Sequence, residues 1–226
     1  MNLADIRSKV RTIVDMDTVD LPNDLLDMYV RDGFDRMMAL ERRWPFLQKS
    51  ATLTTVPNQR EYEISSIGDG DFYDIISIVN RTNDVVRLSL VSHDDAEATW
   101  GGSPEPTGRP LHYSIWGSKL NLWPCPSVAY TLGIRGYRKP SDWMANTSTQ
   151  VDADSRLHQA LVYYAVAQVY QLQEDVELAA FYRLSFDENV RLVAADIMKP
   201  SSNRPVILSG QPFHDPNGIY QFPSYP

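Results

Sequence analysis

The chain of 226 residues holds one cysteine, Cys125, and only four histidines, His93, His112, His158 and His214. A lone cysteine excludes an internal disulfide framework and any multi-cysteine metal site, and it suits a reducing compartment. The histidines show no HxxxH or HExxH spacing and have no cysteine at metal-ligand spacing. A Gly-x-Ser-x-Gly elbow, a phosphate-binding loop and a dinucleotide fingerprint are absent as well. No catalytic residue, cofactor site or metal ligand is assigned on these grounds, and a non-enzyme without a cofactor is expected. Basic residues are also short, 21 Lys and Arg against 29 Asp and Glu, for a net charge of −8 and a pI near 4.9. That argues against a DNA-wrapping protein, whose affinity comes from cations on phosphate, but it allows a surface that faces DNA and repels it. No apolar run approaches the roughly 18 residues of a membrane span. The start, MNLADIRSKV, has Asp5 and no apolar core, so no signal peptide is expected and the protein reads as soluble and intracellular.

What is present is a hydrophobic fraction of 43%, enough for a real core. Leu3, Ile6, Val10 and Ile13 recur at helical spacing and predict a helix over about residues 3–14. After the polar break DMDTVD, Pro22 and early acids open a second helix with the stripe Leu26, Tyr29, Val30, Gly33, Met37, Leu40 and Trp44, stopped by Pro45. Gly33 on that stripe predicts close approach of a neighbouring helix. Residues 50–140 then break into short β-branched or aromatic runs: 51–56, 61–64, 75–81, 85–91, 111–116, 119–123 and 130–137. Gly117-Ser118 and Asn83-Asp84 read as hairpin turns, and residues 92–100 as a short helix capped by Ser92. GGSPEPTGRP reads as irregular loop. Helical spacing returns at Asp152, with Leu157, Leu161, Tyr164, Ala165, Gln168 and Leu172 on one face. A last helix starts near Asp175 and carries Leu178, Phe181, Tyr182, Val193 and Ile197, forming a hairpin with the one before.

Two acidic clusters could hold a cation: Asp15/Asp17/Asp20, which lacks the glycine and distant glutamate of a calcium loop, and Asp69/Asp71/Asp74, which with Gly68 and Gly70 looks slightly more like an oxygen-rich cation loop; solvated turns account for both kinds of cluster more often. Cys125 lies between Pro124 and Pro126 with no basic neighbour to lower its pKa, so a structural role is expected. His158 reads as an ordinary helix residue. Trp100, Trp116, Trp123 and Trp143, with Tyr113, Tyr130 and Tyr137, either pack a small sheet or offer rings to sugars or single-stranded bases. Packing is the commoner use. Exposure of Trp100, Trp116 and Trp123 on one face would favour carbohydrate.

The segment ERRWPFLQKSATLTTVPNQREYEIS, Glu41 to Ser65, resembles the helix-to-strand corner of tailed-phage head-to-tail adaptors. KLNLWPCPSVAYTLGIRGYRKPSDW resembles that family's late hairpin, with its Leu-Trp-Pro-x-Pro strand end and its Thr-Leu-x-Ile strand. LHQALVYYAVAQVYQLQEDVELAAFYRLSFDENV is similar to its closing helical hairpin. The likeness spans about Asp20 to Ile197. It implies a structural virion protein of the neck, assembled in the host cytoplasm, that forms a homo-oligomeric ring, commonly of twelve subunits. Such a ring docks on the portal protein, offers a platform to the tail or nozzle protein, and lets genomic DNA pass without specific binding.

The expected architecture is α+β, with the N- and C-terminal helices forming one bundle around an inserted antiparallel β-rich domain. The divisions are residues 1–49 and 150–199 for the helical parts, 50–149 for the insertion and 200–226 for an extended C-terminal arm. That arm has six prolines but also Val206, Ile207, Leu208, Phe213, Ile219, Tyr220, Phe222 and Tyr225, which want a surface on the portal or a neighbouring subunit. Acids cluster at Gln150–Lys199, eight against four bases, as a DNA-repelling lumen requires. The alternatives are a tail-completion protein and a tail accessory protein with a carbohydrate-binding β domain.

Overall fold

The chain begins with α1 (Leu3–Val14), whose start is fixed by a reciprocal pair: Asn2 Oδ1 accepts from the Asp5 amide at 2.9 Å and Asp5 Oδ2 from the Asn2 amide at 3.0 Å. α2 (Asn23–Leu40) follows. The computed structural model describes residues 1–82 and 85–198. The Asn83-Asp84 turn and the arm therefore lie outside the described residues. The strand-rich part contains β1 (Gln48–Thr54), β2 (Glu61–Glu63), β3 (Phe72–Asn80), β4 (Val86–Arg87) and β5 (Ser89–Leu90), then α3 (His93–Trp100). It continues with β6 (Thr107–Gly108), β7 (His112–Trp116), β8 (Lys119–Trp123), β9 (Cys125–Pro126) and β10 (Thr131–Arg138). α4 (His158–Leu172) and α5 (Val176–Ile197) close the described chain.

α4 is the centre of the helical part. It is apolar nearly all round, and Leu161, Ala165, Val166 and Val169 are wholly buried. α1, α2 and α5 each pack on it. The expected single stripe on this helix was too narrow, because three neighbours rather than one cover it, while Leu172 at its end is exposed. Gly33 of α2 faces Tyr164, and a Cβ there would sit 2.9 Å from the ring. The close approach expected of Gly33 is thus real, and α4 is the partner. α2 ends at Leu40, short of Pro45, because Glu41 turns extended and delivers Trp44 into the core from an irregular corner, stacked on Phe46. Leu40 is consequently exposed.

Two four-stranded sheets, ordered β1-β10-β3-β4 and β2-β8-β7-β5, face each other across a separate core of Phe72, Ile75, Ile78, Tyr113, Leu120, Leu122, Leu132 and Ile134. The β7–β8 hairpin turns at Gly117, whose φ is +59°, as the Gly117-Ser118 dipeptide predicts. Not every pairing is antiparallel. β5 pairs parallel with β7, since α3 and the following loop carry the chain back over the sheet, and β6 pairs parallel with β9. The GGSPEPTGRP loop is therefore not wholly irregular. Ser92 precedes α3 but makes no side-chain cap; Asp94 and Asp95 in the first turn offer the dipole its negative charge instead.

The two parts are clasped together. Tyr137 of β10, between two register shifts, packs into the helical core. Arg138 grips Asp152 with both guanidinium nitrogens at 2.6 and 2.7 Å, and the Ser141 amide donates to the same carboxylate at 2.6 Å. Burial disfavours the Asp152 charge, but the Arg138 fork and Ser141 outweigh it and hold the carboxyl below its usual pKa. Tyr73 donates its hydroxyl to the Arg42 carbonyl, and Arg43 lies 3.8 Å from Asp74.

Gly33→Ala tests the helix contact. Helix propensity alone favours Ala by about 1 kcal/mol. The clash with Tyr164 reverses the sign, and a net loss of about 1–2 kcal/mol is expected in denaturant titration. Arg138→Ala should cost about 2 kcal/mol at neutral pH. Because the folded-state pKa of Asp152 is depressed, this contribution is present above the unfolded value of 3.8 and disappears as pH falls through the folded value. Stability curves of wild type and variant should therefore converge in acid.

Candidate docking surfaces

The residues that sequence singled out for chemistry are held in structural contacts. Asp17 Oδ1 accepts the Val19 and Asp20 amides at 2.6 and 3.0 Å, closing a turn, and Asp15 caps α1. Asp69 and Asp71 are brought together by Lys49, whose Nζ lies 2.7 and 2.6 Å from them. Asp74 points elsewhere, toward Arg43. A protein ammonium thus occupies the place a cation would take in the second cluster. Among the described residues, no three His, Cys, Asp or Glu side chains converge at metal-binding distance. Cys125 is buried, and burial pushes its thiol pKa up, away from thiolate chemistry. His158 is buried with Nδ1 2.6 Å from the Met1 amino group and Nε2 3.2 Å from the Ala153 carbonyl oxygen. His214 lies outside the described residues.

The tryptophans divide by environment. Trp143 is buried against Phe34 in the helical core. Trp116, His93, Trp123, Trp100 and His112 form a continuous row of rings between the outer face of β7–β8 and α3, with successive centroids 5.3, 6.2, 6.2 and 5.0 Å apart. Trp123 Nε1 donates to Ser114 Oγ at 2.9 Å, which lies 3.2 Å from His93 Nδ1. Arg60 covers Trp123 at 4.5 Å while meeting Glu105 at 3.1 Å and Glu97 at 3.8 Å. Trp123 is 0% exposed and Trp116 64%, with Trp100 between them. The three rings do not share an exposed face, so the sugar platform fails its own condition. Of the three, Trp116, beside the hairpin tip, is the one mostly exposed.

Two further surfaces are apolar and open. At the junction of the two parts, Met38, Ala39, Leu47, Tyr73 and Pro140 line a groove of about 390 Å³. On α5, Phe181, Leu184 and Leu192 are 59%, 68% and 63% exposed, on the side away from the buried Phe186, Val190 and Val193. Leu178 and Phe181, expected in the core, belong to this outer stripe. The signal in the sequence is a second apolar set that runs out of phase with Phe186, Val190 and Val193. Charge is also unevenly placed. Residues 1–47 and 140–198 hold 18 acids against 10 bases, whereas residues 48–139 hold 10 against 9.

The family model described as SU10 adaptor protein matches residues 1–206. The chain belongs to the SU10 adaptor family. This is a family of phage head-to-tail adaptors, and the match covers both helical segments and the whole strand-rich part between them. Membership gives the chain a structural role at the neck of the virion, in contact with portal and tail proteins. No curated protein matches the chain. Among the described residues, no helix is long and apolar enough to cross a membrane.

Trp123→Ala should lose about 3–5 kcal/mol, since it empties the space between α3 and the sheet. Trp116→Ala should change stability by under about 1 kcal/mol in the same thermal melts, because its ring is mostly in water. A comparable loss from both would refute the division into buried and presented rings.

Proposed function

We propose that this adaptor subunit assembles into a ring, twelvefold by family likeness, which docks beneath the portal and offers its strand-rich part to the tail or nozzle. The observation that carries the reading is the family match across the whole helix–strand–helix body. Residues 1–49 and 150–199 act as one helical unit, residues 50–149 as an inserted domain, and residues 200–226 as an arm. A ring needs two different complementary surfaces on each copy, and the junction groove, the α5 stripe and the Trp116 tip lie on separate elements that can serve in this way. DNA passes through the channel without specific binding. The excess of carboxylates on the helical part supports this, since like charges keep phosphate from sticking. In the arm, Val206, Ile207, Leu208, Phe213, Ile219, Tyr220, Phe222 and Tyr225 supply apolar contact to the portal or a neighbouring subunit.

The deciding experiment is the mass of the protein alone and with its portal, by light scattering or native mass spectrometry. The adaptor should add to the portal in a fixed ring stoichiometry. A chain ending at residue 199 should keep its circular dichroism and melting profile yet bind the portal at least about tenfold more weakly, a loss of about 1.4 kcal/mol. Undiminished binding by the shortened chain would remove the arm from the docking interface. Absence of any portal complex with the full chain would overturn the ring reading itself.

A further inference from the structure

β1 (Gln48–Thr54) is an edge strand: β10 pairs with it on one side, and among the described residues no strand pairs on the other. It matches residues 131–137 one for one, without a register shift. The Thr55 amide donates to the Tyr130 carbonyl at 2.8 Å, so in this antiparallel ladder Leu53 and Ala51 also turn their backbone groups toward β10. Ser50, Thr52 and Thr54 turn theirs outward. These residues are exposed, and among the described residues their outward amides and carbonyls have no hydrogen-bond partner. A straight run of unpaired backbone groups is a template for another strand. We propose that an extended segment of the tail protein docks here, pairing with residues 50–54 and continuing the sheet past β1.

The remaining sheet edges identify this occupant by what they cannot supply. β4 has two residues, and β3 shifts register twice against β10, which breaks the regularity of its far side. In the second sheet β2 has three residues and β5 two, and the Gln59 side-chain amide already donates to the Glu61 carbonyl. A neighbouring copy therefore offers β1 no regular edge except its own β1. Pairing β1 with β1 is a twofold contact, and a closed ring of head-to-tail copies is not built on it. The strand comes instead from the tail protein, to which the docking reading, on which this inference rests, assigns the strand-rich part. The edge also specifies the chemistry of that strand. Lys49 is the one charge on β1 and is already held by Asp69 and Asp71, so the contact is backbone pairing between neutral groups. Ala51 and Leu53 are partly buried at the rim of the second core, which calls for apolar side chains on the partner's inner face. Ser50, Thr52 and Thr54 call for small or β-branched polar ones on its outer face.

The test is hydrogen exchange on the full-length adaptor, first free and then docked on its portal with the tail protein of the same phage added. In the free chain the amides of Ser50, Thr52 and Thr54 should exchange at open-chain rates while those of Ala51 and Leu53 are protected. Tail binding should slow the first three at least about tenfold. Protection already present in the free chain would mean that the subunit or a second copy fills the edge, and would overturn the proposal. Tail binding that leaves the three amides fast would overturn it too, with the docking reading intact. Thr52→Pro is the second arm: the Thr52 amide makes no bond within the subunit, so proline removes the donor meant for the partner. This variant should bind the portal as wild type does and the tail protein at least about tenfold more weakly, whereas Thr52→Ala should stay within about twofold. Equal losses from the two would assign the contact to the side chain, and no loss from proline would remove β1 from the interface; either result overturns strand pairing. Should the proline variant fail to fold, the exchange rates of the wild type decide alone. A portal-docked adaptor that binds no tail protein would overturn this inference together with the docking reading.

Discussion

The structure depends on the burial of α4. A helix apolar on nearly every side cannot be stable in water, and each of its large side chains gains about 1.5–3 kcal/mol by being covered. α5 covers one side through the short hairpin, but α1 and α2 must come from the other end of the sequence. That requirement brings the two helical segments together and makes everything between Leu40 and His158 a closed excursion. The entropy of closing so long a loop grows only logarithmically with its length, so a large strand-rich part is tolerated there. It contributes a second core of its own, from Phe72 to Ile134, rather than extending the first.

The polar residues serve that arrangement. Arg138 and Asp152 tie the last strand to the approach of α4, Tyr73 ties β3 to the corner after α2, and Lys49 gathers Asp69 and Asp71 beside the sheet. Arg60 performs the same task at the far end, pinning the loop and α3 over Trp123 through two glutamates and the indole face. Asp69 and Asp71, which could have suggested a cation site, are occupied with Lys49, and Asp17 with the Val19 and Asp20 amides. Among the described residues, apolar groups also face water: Trp116 at the hairpin, the junction groove and the outer stripe of α5. For a protein whose family joins head to tail, unpartnered apolar surfaces are where the function is to be sought.

Helical periodicity by itself places α1 and α5 with small errors at their ends, while α2 ends four residues before Trp44 and α4 starts six residues after Asp152; the runs of strand formers place β8 to the residue and the other principal strands to within three residues. Gly33 announced its contact because glycine on an apolar stripe has few other uses. These features were legible because spacing along the chain maps directly onto one face of an element. Which element meets which was decided by tertiary packing. That three helices cover α4, that Trp44 enters the core from an extended corner, and that Asp69 and Asp71 face Lys49 all depend on residues far apart in sequence. The same is true of the rings Trp116, His93 and Trp123, which come from separate segments and stack only after α3 crosses the sheet. It is clearest in α5, where Phe181 and Phe186 look alike in sequence. Only the position of α4 makes one of them core and leaves the other exposed, because a helix shows its neighbour one side at a time.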